Sequence, residues 1–232
     1  MKLASLLAST CAAILLCAVP AWSADREAPA TTPEGLKLVK RPGLDTVYLR
    51  EGVSFAKYER VMLDPVEVSF DKNWDPRRGS AASLETVDPA EIQRDLAKLA
   101  RQVFQRELEK KGGYPLVDEP ADDVLRVRAR IVDLYINAPE PRTASPTRIY
   151  VINAGEMTLM AELYDSVTNT LLAEVIDRQR GMERGLNELQ IANRVTNTAE
   201  ADRILTGWAR RLRDALDKAR APEQGASSGP SD

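Results

Sequence analysis

The stretch from Val87 to Val117 constrains the fold more than any other part of the chain, because it reads as one long amphipathic helix with both ends marked. Asp88 stands at the N-cap position, Pro89 occupies the first helical position, and Glu91 is placed to reach back to the cap amide. Ile92, Leu96, Leu99, Val103, Phe104 and Leu108 recur at the spacing that gathers apolar side chains on one side. Arg94, Asp95, Lys98, Arg101, Gln105 and Glu109 fall on the other. Lys110 and Lys111 suit the negative end of the helix dipole, and Gly112 is the residue expected to take the left-handed conformation before Gly113, Tyr114 and Pro115 end the helix. A helix with one such apolar side needs a sheet to cover it.

Sheet signals flank the helix on both sides. Leu36–Val39 and Thr46–Leu49 are short apolar pieces expected along the domain edge. In Tyr58–Phe70, Val61 and Leu63 share one parity and Val66, Val68 and Phe70 the other, with the change at Pro65. Proline has no amide to give to a ladder, so this strand is expected to bend there and to lie at an edge. Val124–Ile136 alternates most clearly: Leu125, Val127, Ala129 and Ile131 face one way and Arg126, Arg128 and Arg130 the other, before parity flips to Val132, Leu134 and Ile136, which predicts a bulge. Ile149–Ile152 and Glu156–Tyr164 read as one interrupted strand, and Leu171–Arg180 as its antiparallel return. Gly181–Arg194 reads as a loop with a helical turn around Leu186–Ile191. Asn197 with Glu200 then forms a second capping pair, ahead of a stripe of Ile204, Leu205, Trp208, Leu212, Ala215, Leu216 and Ala219. The expected fold is α+β: a small antiparallel or mixed sheet of about four to five strands with two long helices on one face.

At the N-terminus, Lys2, the apolar run Leu3–Val19, the breaking Pro20 and the small residues around Trp22 have the layout of a cleaved secretory signal. The expected organisation is a signal peptide at 1–23, a flexible tether at 24–34, one domain at 35–220 and a disordered tail at 221–232. The apolar run is shorter than the ~20 residues a spanning helix needs, and no transmembrane span is expected. The expected location is the periplasm. A lipid carried by Cys17 would make the protein an outer-membrane lipoprotein instead, and only then would it associate with a membrane; Leu16, directly before that cysteine, is larger than lipid processing prefers.

The chemical inventory is thin. The chain has no histidine, and both of its cysteines, Cys11 and Cys17, lie in the leader, so the usual general base, zinc ligands and thiol nucleophile are missing from the exported part. The formal net charge of −3 argues against a nucleic-acid partner. Ser54 and Lys57 form an S-x-x-K spacing, but the S-D-N and K-T-G elements that accompany it in penicillin-recognising enzymes are absent. Asp71, Asn73 and Asp75 open like a calcium loop, yet Pro76 stands where glycine is needed and Ala82 where a bidentate glutamate belongs, which favours plain turn residues. No catalytic residue, metal or cofactor is therefore expected. The remaining surface feature is the stripe Arg126, Arg128, Arg130, whose guanidinium groups stand about 7 Å apart. They are suited either to gripping an anionic polymer or lipid headgroups, or to pairing across strands with acids such as Glu156, Glu162 and Glu174.

The segment VYLREGVSFAKYERVMLDPVEVSFDKNW contains Tyr58, Val61, Asp64, Pro65 and Val66 in a Tyr-x-x-Val-x-x-Asp-Pro-Val pattern. With the hairpin ELYDSVTNTLLAEVIDR and the helix around Trp208, Ala209, Arg210, Arg211 and Leu212, it resembles the bacterial domain of unknown function 3313 family over roughly Leu36 to Lys218. The resemblance implies an exported envelope protein, lipid-anchored in many relatives, with no catalytic motif to transfer. The resulting expectation is a non-enzymatic module that binds another envelope protein, the alternative being an anion, glycan or lipid-headgroup binder working through the arginine stripe.

Overall fold

A computed structural model describes residues 28–75, 88–136, 149–151, 155–181, 190–192 and 194–221, without side-chain detail at 149–151, 190–192 and 194–196. The leader with Cys11 and Cys17, nearly all of the tail, and most of the loop expected at Gly181–Arg194 lie outside these residues. The elements are β1 (Lys37–Val39), β2 (Thr46–Leu49), β3 (Arg60–Leu63), β4 (Glu67–Phe70), α1 (Pro89–Glu109), β5 (Val124–Ile136), β6 (Ile149–Val151), β7 (Gly155–Asp165), β8 (Leu171–Arg180), β9 (Gln190–Ala192) and α2 (Arg194–Arg220).

The main sheet is mixed and has seven strands, in the order β1-β2-β8-β7-β5-β3, with β4 also paired to β5. It is larger than the four to five strands expected because the two short lead-in pieces each find a partner. β1 pairs with β2 and β2 with β8, both antiparallel. Part of the expected tether is folded as well, since the Leu38 amide donates to the Ala30 carbonyl and Thr31 bridges Lys37. At the other edge Pro65 divides one strand into two. β3 runs parallel to the first residues of β5 and β4 parallel to later ones, and the Asp64 amide still donates to Val127 across the break. Parallel neighbours need a crossover, and α1 supplies it between β4 and β5. The predicted bulge in β5 is present: its register with β7 shifts between Val132 and Tyr135, Asp133 adopts a φ of 51°, and Leu134 is buried.

The inward side of the sheet presents Leu125, Val127, Ala129 and Ile131 from β5 with Leu159, Ala161 and Leu163 from β7. Leu96, Ala100, Val103 and Phe104 of α1 and Ile204, Leu205, Trp208 and Ala209 of α2 belong to the same core. Polar ties fix each helix to the sheet: Gln93 Nε2 donates to the Val68 carbonyl, Arg101 Nη1 to that of Leu63, and Trp208 Nε1 to Asp177. Between the helices, the buried carboxylate of Glu107 accepts from Arg210 Nε at 3.0 Å, and that bond holds its pKa below the usual range against the cost of burial.

Four local expectations need correction. α1 ends at Glu109, and Lys111 joins Gly112 in the left-handed region, closing a turn in which Gly113 donates to Lys110 and Tyr114 donates back to Leu108. Ile149–Val151 does not continue into β7; it leaves the main sheet and pairs with Gln190–Ala192, which sequence periodicity places in a loop with a helical turn. α2 starts at Arg194, so Asn197 lies inside the helix rather than at its cap. Along the same helix Ala209, not Ala215, completes the buried stripe, and Ala215 is exposed.

Candidate functional site

β5 positions the arginines by simple alternation. Because Leu125, Val127, Ala129 and Ile131 are buried among the helices, Arg126, Arg128 and Arg130 are carried to the opposite side of the sheet. The ladder sets what stands beside them: Tyr164 opposite Arg126, Glu162 opposite Arg128 and Met160 opposite Arg130 on β7, with Met62 and Glu67 as the parallel neighbours of Arg126 and Arg130.

The three guanidinium groups are engaged. Arg126 clasps Asp64 through Nε and Nη2, both at 2.9 Å, and donates through Nη1 to Asn169 Oδ1. Arg128 shares Asp64, approaches Glu162 at 3.7 Å, and lies over the Tyr164 ring with 4.9 Å to its centre. Arg130 reaches Glu162 at 3.4 Å, and the Tyr164 hydroxyl donates to Glu162 at 2.9 Å. Two carboxylates thus bridge three arginines into one continuous array. The side chains of Arg128 and Arg130 remain 43% and 39% exposed.

Of the acids expected to pair with the stripe, Glu162 does so. Glu156 instead binds Arg178 and Arg180; burial works against its charge, but these two arginines hold its pKa low. Glu174, opposite Glu162 in the ladder, pairs with no arginine among the described residues; burial, with Glu162 and Glu34 nearby, pushes its pKa up. The unforeseen member is Asp64. Its place just before Pro65 was the available signal, since a broken edge strand turns the preceding side chain onto whatever β5 presents there.

A second polar knot braces the adjoining hairpin. Asp165 Oδ2 accepts from Lys57 Nζ at 2.7 Å and from the Tyr58 hydroxyl at 3.0 Å, while Oδ1 accepts from the Val167 and Thr168 amides and from Thr168 Oγ1. The Lys57 bond, helped by the Thr168 and Tyr58 donors, holds Asp165 well below the usual carboxylate range despite burial. Lys57 is therefore committed to a structural aspartate. Ser54 Oγ accepts from the Ala56 amide at 3.3 Å within its own turn. The S-x-x-K pair is thus not arranged as a nucleophile with its base. Asp71 receives the Asn73 amide at 2.7 Å and caps the end of β4, the turn role its sequence suggested. Among the described residues no group of three or more carboxylate, histidine or cysteine side chains is placed to hold a metal ion. No described helix is long and apolar enough to cross a membrane.

Comparison with known proteins locates the chain by family. The sequence model of the family described as "Protein of unknown function (DUF3313)" matches residues 32–212. A search of curated proteins finds no match. Among solved structures, the PelC dodecamer from Paraburkholderia phytofirmans aligns at 8% identity and a TM-score of 0.37, covering 74% of this chain and 96% of that one. A Xanthomonas campestris protein of family DUF330 aligns at 13% identity and a TM-score of 0.40, covering 72% and 90%. Likenesses this distant do not carry over what those proteins bind or assemble into.

Proposed function

We propose, from the premise that the chain belongs to the DUF3313 family, that it is a non-enzymatic module of the bacterial cell envelope that binds another envelope protein through the outward side of its sheet. The observation that carries this reading is the array of Arg126, Arg128 and Arg130 bridged by Asp64 and Glu162. Groups already locked by their neighbours lose little freedom when a partner docks, and an array of both signs set beside Tyr164 resembles the polar, aromatic-containing surfaces that proteins present to one another. Export rests on the leader-like residues 1–23, and the absence of catalysis on a chain without histidine whose Lys57 is held by Asp165. Arg128→Glu removes the link between the two carboxylates and sets three acids together, so it is expected to abolish partner binding while leaving the fold intact. Retention of binding by that variant refutes the reading.

A second reading follows from the exposure of the same arginines. The side chains of Arg128 and Arg130 keep 43% and 39% of their surface exposed, which leaves guanidinium donors within reach of an anionic glycan or lipid headgroup. It predicts sedimentation with anionic vesicles that weakens as salt rises, whereas the protein-binding reading predicts none.

A further inference from the structure

β7 divides the outward side of the sheet into flanks of opposite character. Strand registers place Arg128, Glu162 and Glu174 in one row across β5, β7 and β8, and Arg130, Met160 and Ile176 in the next. On the β5 flank, Arg128 and Arg130 keep part of their guanidinium surface in water. On the β8 flank, Glu174 is partly buried and has no hydrogen bond or ion pair with any described residue. Burial, with Glu162 and Glu34 nearby, outweighs the pull of Arg130 on that carboxylate. The arginines further along β8, Arg178 and Arg180, are held by Glu156. Glu174 therefore gains from a cation supplied by another molecule.

The face has the size and layout of an interface. Both described helices pack on the inward side. The outward side of β3 with β4, β5, β7 and β8 is about 35 Å long and about 20 Å wide at ordinary strand spacings, close to the ~800 Å² that each partner of a stable pair buries. Met160 and Ile176, both partly exposed, put apolar surface between the charged flanks.

Two-fold symmetry matches these flanks to each other. With the axis along β7, β5 of one copy lies over β8 of the second, and sheets packed face to face stand about 10 Å apart, a gap that an arginine and a glutamate span together. Arg128 of each copy then faces Glu174 of the other, so the same complementary pair forms twice. Met160 meets its counterpart on the axis, and the aliphatic stem of Arg130 covers Ile176. Glu162, also on the axis, brings no bare charge, because Arg128, Arg130 and the Tyr164 hydroxyl already hold it. A partner of one sign leaves a flank unanswered, whereas a second copy answers both.

We infer that the outward side of the sheet pairs with the same side of a second copy of this chain, Arg128 of each meeting Glu174 of the other across a two-fold axis along β7. The inference rests on the reading of this side as a protein-binding surface, and it names the protein bound.

The test is the oligomeric state of the full chain, measured by sedimentation equilibrium. The unaltered chain is expected to be a dimer at tens of micromolar. Arg128→Glu and Glu174→Arg are each expected to weaken dimerisation by at least about tenfold, because like charges then face each other twice. An equimolar mixture of the two variants is expected to restore a mixed dimer, since both pairs are complementary again. A photo-reactive group at Met160 is expected to give an adduct of twice the chain mass that is lost in Glu174→Arg; should Arg128→Glu fail to fold, this adduct decides the matter. A monomeric unaltered chain, a dimer that survives both reversals, a mixture that stays monomeric, or a Met160 adduct that persists in Glu174→Arg overturns the inference. A monomeric chain whose Met62 position still labels a different envelope protein, in a way that depends on Arg128, overturns the inference alone; a monomeric chain with no such adduct overturns the protein-binding reading as well.

Discussion

The indole N–H of Trp208 donates to the carboxylate of Asp177 at 2.7 Å, with both residues almost wholly out of water, at 2% and 1% exposure. This bond ties α2 to β8, and Asp177 also receives the Asp45 amide and Gln179 Nε2, so one carboxylate joins the helix, the strand and the turn before β2. Removing a donor from a buried carboxylate leaves charge poorly answered, so Trp208→Phe is expected to cost about 2–3 kcal/mol of stability. Asp177→Asn, which keeps an acceptor for the indole, should cost less than Asp177→Leu, which strands three donors. Denaturant titration of the three variants checks the order.

Asp165 makes stability sensitive to acid. Its folded pKa lies below the ordinary value of about 3.9, so its contribution is complete above that value and is lost as pH falls through it toward the folded pKa. Lys57→Met takes away the largest cause of the depression and is expected to raise the pH midpoint of acid unfolding. At neutral pH it should cost only about 1 kcal/mol, because the Lys57 side chain is 54% exposed. At the alkaline end the sign reverses. Tyr58 and Tyr114 are raised by burial and by the Asp165 and Asp217 carboxylates, Tyr114 to about 12, so they favour the fold below an ordinary tyrosine pKa of about 10 and stop doing so as pH climbs beyond it. Circular dichroism across pH reads both limbs.

Two backbone positions test the strand geometry. Gly155 opens β7 with a φ of +138°, and a side chain there would overlap the Tyr135 carbonyl, so Gly155→Ala is expected to destabilise by about 2–3 kcal/mol. At the β5 bulge Asp133 holds a φ of 51° on a largely exposed residue, so Asp133→Gly should be neutral or gain up to about 1 kcal/mol, and Asp133→Val should lose stability. Thermal melts of the three variants read out the contrast.

What could be read from the sequence divides along a physical line. β5 and β8 emerged with their observed bounds because alternation over ten or more residues has one solution once a face is buried, and the Pro65 break and the β5 bulge followed from the parity changes. Leu36–Val39 and Thr46–Leu49 are too short for periodicity to show that they extend the sheet; β8 decides it by offering them an edge. Gln190–Ala192 is a strand only because Ile149–Val151 pairs with it, a contact that no local pattern encodes. In the array, Arg126, Arg128, Arg130 and Glu162 could be read from strand parity, whereas Asp64 could not, since its side chain is aimed by the bend at Pro65 rather than by alternation.

The outward array of β5 is tested most directly by photo-crosslinking in envelope preparations, with the reactive group placed at Met62, beside Arg126, or at Lys98 on the exposed side of α1 as the control. The account predicts one discrete protein adduct from Met62, none from Lys98, and loss of the Met62 adduct when Arg128→Glu is added. Equal labelling from both positions, or an adduct that persists in the Arg128→Glu chain, would contradict it.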